Sequence, residues 1–194
     1  LVDGIDGLSA SLSLFFMTIA SYIFYLLGNE YYLLTTAFSF SLLVFIIFNI
    51  SDNRKIFLGD TGSLGLGVGI AIITLGILNS NQNYNTIIPI NPALFMVLTL
   101  AYPLLDVIRV FILRIYNKKS PFSADRNHIH HKVIDIGYSH VQAVILIIIF
   151  QIVLLLFNLL ITNNIGLHYQ ILIDLVIIIL ILFFLYRIPN KSVS

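Results

Sequence analysis

Long unbroken apolar runs constrain this chain more than any other feature. They lie at Leu8–Leu27, Leu33–Ile50, Leu64–Leu78, Leu94–Ile115, Val141–Thr162 and Tyr169–Tyr186. About 20 mainly apolar residues are needed for a helix to cross the hydrocarbon layer, and only helices or closed barrels satisfy the backbone there. Six runs near that length predict an all-α, polytopic membrane bundle of about six transmembrane helices. The third run is the shortest. The composition agrees: 59% of residues are hydrophobic and 10% charged, with a mean hydropathy of +1.00. A soluble domain carries about 25% charged residues, so nearly every soluble fold is excluded. With no Cys in the chain, disulfide and thiolate-metal frameworks are excluded as well. The first residue is Leu1 and the first Met is Met17, so the chain reads as the C-terminal portion of something longer, a single membrane domain over 1–194.

The charges fix an orientation. All ten Lys and Arg fall in or within a few turns of 51–61, 116–140 and the C-terminus. The alternate connections, Gly28–Tyr32, Asn79–Asn91 and Asn163–His168, contain none. Cytoplasmic loops of membrane proteins carry this excess of Lys and Arg, so residues 1–7 and the loops at 51–61 and 116–140 are expected in the cytoplasm. Three polar motifs fall on that same side.

The first motif, Asp3-Gly4-Ile5-Asp6-Gly7-Leu8, has two carboxylates three residues apart, which a helical segment would place on one face. Asp6 could simply cap the first helix; alternatively the pair organises a cation or a polar substrate. The second, Phe57-Leu58-Gly59-Asp60-Thr61-Gly62-Ser63, leads into a glycine-rich span. Asp60 and Thr61 could simply cap that helix and its glycines serve close helix packing, while the free N–H groups of a helix start suit phosphate. A carboxylate there would repel phosphate unless a cation lay between them, which points to Mg²⁺ bound through one or two carboxylates plus substrate phosphates. It is not a P-loop, because the Gly-Lys-Ser/Thr element is absent.

The third motif, Asp125-Arg126-Asn127-His128-Ile129-His130-His131-Lys132, is a dense donor cluster able to grip a diphosphate. A zinc site is the rival reading, without HExxH or Cys to support it. A plain basic loop meeting anionic lipid heads is the bland one. Within the fourth run Pro103 predicts a kink, and Asp106 and Arg109, three apart, form an intramembrane pair that is functional by default or else locks two helices. Asp174 reads as a lone interfacial acid.

In this order, Val-Asp-Gly-Ile-Asp-Gly-Leu, Phe-Leu-Gly-Asp-Thr-Gly-Ser-Leu, Pro-Leu-Leu-Asp at 103–106, Pro-Phe-Ser-Ala-Asp-Arg-Asn-His-Ile-His-His and Gly-Tyr-Ser-His-Val-Gln-Ala-Val resemble the polyprenyl-phosphate N-acetylhexosamine-1-phosphate transferases, glycosyltransferase family 4. The His-Ile-His-His run is closer to the branch that begins O-antigen, enterobacterial-antigen, capsule or teichoic-acid synthesis than to the muramoyl-pentapeptide branch. The resemblance implies transfer of a sugar-1-phosphate from a UDP-N-acetylhexosamine to polyprenyl (undecaprenyl) phosphate with release of UMP, at the cytoplasmic face of a bacterial inner membrane. It implies Mg²⁺, or Mn²⁺ in its place, no nucleic acid partner, and compatibility with a homo-oligomer. Asp60 would be the metal ligand, Asp3 and Asp6 would belong to the nucleotide-sugar and metal region, and Asn49 (with a one-residue offset) and Phe57 would line the uridine pocket. Arg126, His128, His130 and His131 would neutralise the diphosphate. The family's Asp-Asp motif and the Asn ahead of its first motif are absent from these residues, so the 194-residue chain alone is expected to be inactive. An ion-coupled transporter and a CDP-alcohol-type phosphotransferase are the alternatives. The first predicts acids near the midplane and the second an Asp-rich helix signature, which is not visible.

Overall fold

The structure, a computed structural model, describes residues 4–80, 91–120, 128–161 and 165–187, with side chains through 180. Among these residues every regular element is a helix. They are α1 (Leu8–Leu26), α2 (Tyr31–Asn49), α3 (Gly59–Asn79), α4 (Pro92–Thr99), α5 (Ala101–Tyr116), α6 (Ile129–Asp135), α7 (His140–Ile161) and α8 (Leu167–Arg187). The bundle is the polytopic all-α fold expected. Four helices, α1, α2, α3 and α7, are long and apolar enough to cross a membrane, and the bent pair α4–α5 makes a fifth if counted as one span. Six is therefore one more than this measure supports, because the described apolar stretch of α8, Leu167–Leu180, is shorter than a full crossing.

α1 is the central helix. It packs on α2, α3 and α7, and 56% of its apolar window is buried against 17% of that of α2. Its end is set by Gly28, whose φ of +64° suits a residue without a Cβ. Gly28 N–H bonds to Tyr25 C=O and Asn29 N–H to Phe24 C=O, the paired bonds of a Schellman stop. The Asn29 side chain then takes the Tyr31 N–H at the start of α2. Between α1 and α3 two glycines let the helices approach: a Cβ at Gly76 would lie 3.3 Å from Phe24, and one at Gly69 would lie 3.8 Å from Met17. Small residues at such contacts are how apolar helices associate in lipid, where no hydrophobic drive remains.

α3 starts five residues before the apolar run, so the polar Gly59–Ser63 segment is its first turn. α4 begins with Asn91, whose side chain accepts from Ala93 N and Leu94 N, followed by Pro92 at the first helical position. The fourth span is broken at Leu100, where α4 and α5 meet at 72°. Pro103 has no N–H to give Thr99 C=O. Gln151 of α7, fully buried, fills the gap: its Nε2 donates to Thr99 C=O at 2.8 Å and its Oε1 accepts from Tyr102 N–H at 3.0 Å. The kink expected from Pro103 is thus a break held by a third helix. A second apolar core joins Ile5, Leu8, Leu12, Tyr102, Ile129, Ala143 and Ile147. It seats the N-terminal motif, α5, α6 and the start of α7 against one another.

Candidate active site

The polar end of the bundle is built on three separate sequence segments. Asn49, the last residue of α2, is buried and joins two of them. Its Oδ1 accepts the Gly7 N–H at 2.6 Å, and its Nδ2 donates to Ile56 C=O at 2.7 Å. Both ends of the amide are therefore committed to backbone. Asp6, beside Gly7, receives Lys55 Nζ at 2.7 Å and His140 Nδ1 at 3.0 Å, linking the first motif to the α2–α3 loop and to α7. Burial alone would raise the Asp6 carboxyl, but Lys55 and His140 outweigh it and hold it below the ordinary carboxylate value. Lys55 also stands 5.2 Å above the ring of Phe57, which is 72% exposed.

The His loop is organised from α5. Asp106 is fully buried, and its Oδ1 accepts the Ile129 N–H at 2.7 Å while Oδ2 accepts His128 Nδ1 at 2.8 Å. One turn earlier, the Tyr102 hydroxyl lies 3.3 Å from His130 Nδ1. His128 and His130 stack with centroids 5.4 Å apart, and His131 follows at 4.3 Å from His130. Burial first, then the neighbouring His131, lowers His130 to about 4, so at neutral pH its ring is uncharged. His130 Nε2 is buried with no hydrogen-bond partner among the described residues. The Gly4 backbone lies against the Nε2 edge of this ring, so closely that a methyl group built on Gly4 would overlap it.

These groups open on one cavity of about 1110 Å³. Gly4, Asp60, Arg114, His128, His130 and His131 form its polar end. The rest is an apolar gully between α3 (Gly67, Ile70, Leu75) and the bent pair (Leu100, Leu104, Val107). Asp60, exposed in the first turn of α3, has no side-chain hydrogen bond or ion pair among the described residues. No group of three His, Cys, Asp or Glu among those residues could hold a metal by itself. One open carboxylate lining the cavity suits a hydrated divalent cation, which keeps waters and takes substrate phosphates instead of an all-protein cage.

Comparison with known proteins decides the family. Residues 1–78 match the family model for glycosyl transferase family 4. The chain is 35% identical over 150 residues to a probable undecaprenyl-phosphate N-acetylglucosaminyl 1-phosphate transferase of Bacillus subtilis, covering 76% of this chain and 39% of that protein. It is 34% identical over 153 residues to the undecaprenyl-phosphate alpha-N-acetylglucosaminyl 1-phosphate transferase of Yersinia pestis (76% and 40%), and 34% identical over 160 residues to a decaprenyl-phosphate N-acetylglucosaminephosphotransferase of Mycobacterium leprae (75% and 40%). The chain belongs to glycosyl transferase family 4. It spans about two-fifths of the length of these curated relatives. No solved structure matches it significantly.

Of the residues that the family resemblance singles out, Asp60, His128, His130 and His131 meet at the cavity. Asp6 and Phe57 are joined instead through Lys55, and Asn49 holds backbone on both sides. Asp3 and Arg126 lie outside the described residues. Sequence reasoning missed Lys55, Tyr102 and Arg114 as members of this candidate site. It noted Asp106 but gave it Arg109 as partner, where the structure adds His128 and Ile129. His140 was visible only inside a quoted motif. Nothing local in the sequence marks Lys55, which meets Asp6 across 49 residues.

Proposed function

We propose that the complete protein transfers N-acetylhexosamine-1-phosphate from a UDP-sugar to polyprenyl phosphate, at the cytoplasmic face of a bacterial plasma membrane. The observation that carries this reading is the two-part cavity: an Asp, three His and an Arg at one end, and an apolar gully between α3 and α5 at the other. A lipid phosphate has that same division. The three relatives named above are described as undecaprenyl- or decaprenyl-phosphate N-acetylglucosamine phosphotransferases, which agrees in substrate class.

In the reaction an oxygen of the lipid phosphate forms a bond to the β-phosphorus of the nucleotide sugar. The P–O bond to the α-phosphate breaks, and UMP leaves with the bonding pair. Phosphoryl transfer depends on alignment and charge neutralisation more than on covalent help. Asp60 is the residue that would hold Mg²⁺, which when bound supplies positive charge to the phosphate oxygens. Arg114, at the cavity's polar end, adds a fixed cation, and Arg126 is proposed to do the same. His128 and His131 would contact the phosphates. The neutral His130 serves by hydrogen bonding and not as a charge. Phe57 with Lys55 offers an exposed ring and cation for the nucleotide, with Asp6 beside them; Asp3 is proposed to act with Asp6 on the nucleotide sugar and metal. Asn49 shapes this region from behind, through Gly7 and Ile56.

Asp60→Asn in the complete protein tests this directly. UMP release in the presence of polyprenyl phosphate and UDP-N-acetylglucosamine should fall by about 10³-fold or more, the scale of losing a charge-stabilising group. Turnover close to the unsubstituted protein would sink the assignment of Asp60 as metal ligand.

A further inference from the structure

We propose that Asp106 is a positioning residue for the His loop, fixing which ring nitrogen His128 presents to the cavity. This rests on the transferase reading for its kinetic consequence, but its structural basis stands apart from it.

Asp106 lies on α5 with no exposed surface. A carboxylate so placed is costly unless its oxygens are paired. Both are. Oδ1 takes the Ile129 N–H, one of the orphan donors at the start of α6, so the cap of α6 comes from another helix 23 residues earlier. Oδ2 faces His128 Nδ1 at 2.8 Å. A carboxylate only accepts, so the nitrogen facing it carries the proton. Nε2 is then the nitrogen left for the cavity that His128 lines. It is offered as an acceptor to a sugar hydroxyl or amide. A buried carboxylate behind an imidazole orients the ring and sets its tautomer wherever this arrangement occurs. The stacked His130 ring, held by Tyr102 from the same face of α5, keeps His128 from turning away.

Asp106→Asn separates this role from simple packing. The amide has nearly the same shape, and its oxygen can still accept from Ile129 N–H. Toward His128 it presents an NH₂ donor, which fits only a bare Nδ1 and moves the proton to Nε2. In the complete protein, reconstituted in lipid nanodiscs with ¹⁵N-labelled histidine and His128 assigned by loss of its signals in His128→Gln, we expect the Nδ1–H tautomer. In Asp106→Asn it should become Nε2–H. The kcat for UMP release should fall roughly 10- to 100-fold, with a smaller change in KM for UDP-N-acetylglucosamine. The double variant Asp106→Asn/His128→Gln should be no slower than His128→Gln alone, since both act through one ring.

An Nε2–H tautomer in the unsubstituted protein overturns the proposal, even if Asp106→Asn does not accumulate in the membrane. So does an unchanged tautomer in Asp106→Asn, or losses that multiply in the double variant. If the unsubstituted protein releases no UMP, the transferase reading fails, while the tautomer measurement still decides the role of Asp106.

Discussion

Two buried polar clusters in this bundle invite comparison. One joins Tyr102 and Asp106 of α5 to His128 and His130. The other lies between α7 and α8, where Asn158 Nδ2 donates to Asp174 Oδ1 at 2.9 Å and Gln170 Nε2 donates to Asn158 Oδ1 at 2.9 Å. Each hides its polar atoms from lipid, and each leaves one buried atom without a partner among the described residues, His130 Nε2 and Asp174 Oδ2. Burial and an orphan atom therefore do not distinguish a site from a clasp. What differs is access. His128, with its side chain 22% exposed, opens on the large cavity with Asp60 and stacks on the buried His130, whereas no member of the second cluster lines that cavity. The first is organised around an opening; the second ties two helices together.

The sharpest way to break this contrast is at Gly4. Gly4→Ala should push the His130 ring out of its seat, because a Cβ there overlaps the imidazole. We expect a loss of UMP release of about 100-fold and a stability cost of roughly 1–3 kcal/mol, as for overpacking elsewhere. Unchanged turnover with an unchanged melting temperature in detergent would show that Gly4 and His130 do not meet.

Acid should separate the clusters next. Below pH 6.5 the unfolded chain protonates at His130, while the folded chain resists until about 4. Stability is thus intact above pH 6.5 and declines through the window from 6.5 to 4, by at most about 3 kcal/mol. Asp6 acts in the same sense lower down, since its lowered carboxyl contributes above the ordinary carboxylate value and loses that contribution as the pH falls through its own. Thermal melts between pH 7 and 4.5 should show the slope, and His130→Asn should flatten it. A slope identical in His130→Asn would place its origin elsewhere.

The smallest effect is expected at Asp174. Asp174→Asn keeps a carbonyl oxygen for Asn158, so turnover should stay within about twofold and stability within about 1 kcal/mol. A tenfold loss of UMP release would erase the distinction between clasp and site.

The fold was largely legible because lipid allows so few solutions. Apolar run length located α1, α2 and α7 to within two residues. The start of α3 was missed because its first turn, Gly59–Ser63, is polar and glycine-rich, and an apolar count cannot see a helix whose first turn is not in lipid. Pro103 announced the kink, but not the partner that keeps it. The site was legible as residue types on one side, and Asp60 with the His run did converge. The pairings were hidden. Asp106 read as a mate for Arg109 at helical spacing, whereas the bonds to His128 and Ile129 depend on how α6 docks on α5. Asp174 read as a lone interfacial acid; the structure buries it against Asn158, 16 residues earlier, because the α7–α8 turn brings those faces together.

The break between α4 and α5 has a consequence for motion. Pro103 brings no N–H to Thr99 C=O, the bend parts Tyr102 N–H from Leu98 C=O, and the Gln151 amide meets both groups instead. Straightening the pair would strand the amide in a medium that offers no replacement. The angle is therefore written into a residue 49 positions away and behaves as a bracket, not a hinge. α5 is then a standing wall of the gully. The apolar acceptor proposed above would already be confined to the bilayer, so its encounter with the polar end would be a search in two dimensions.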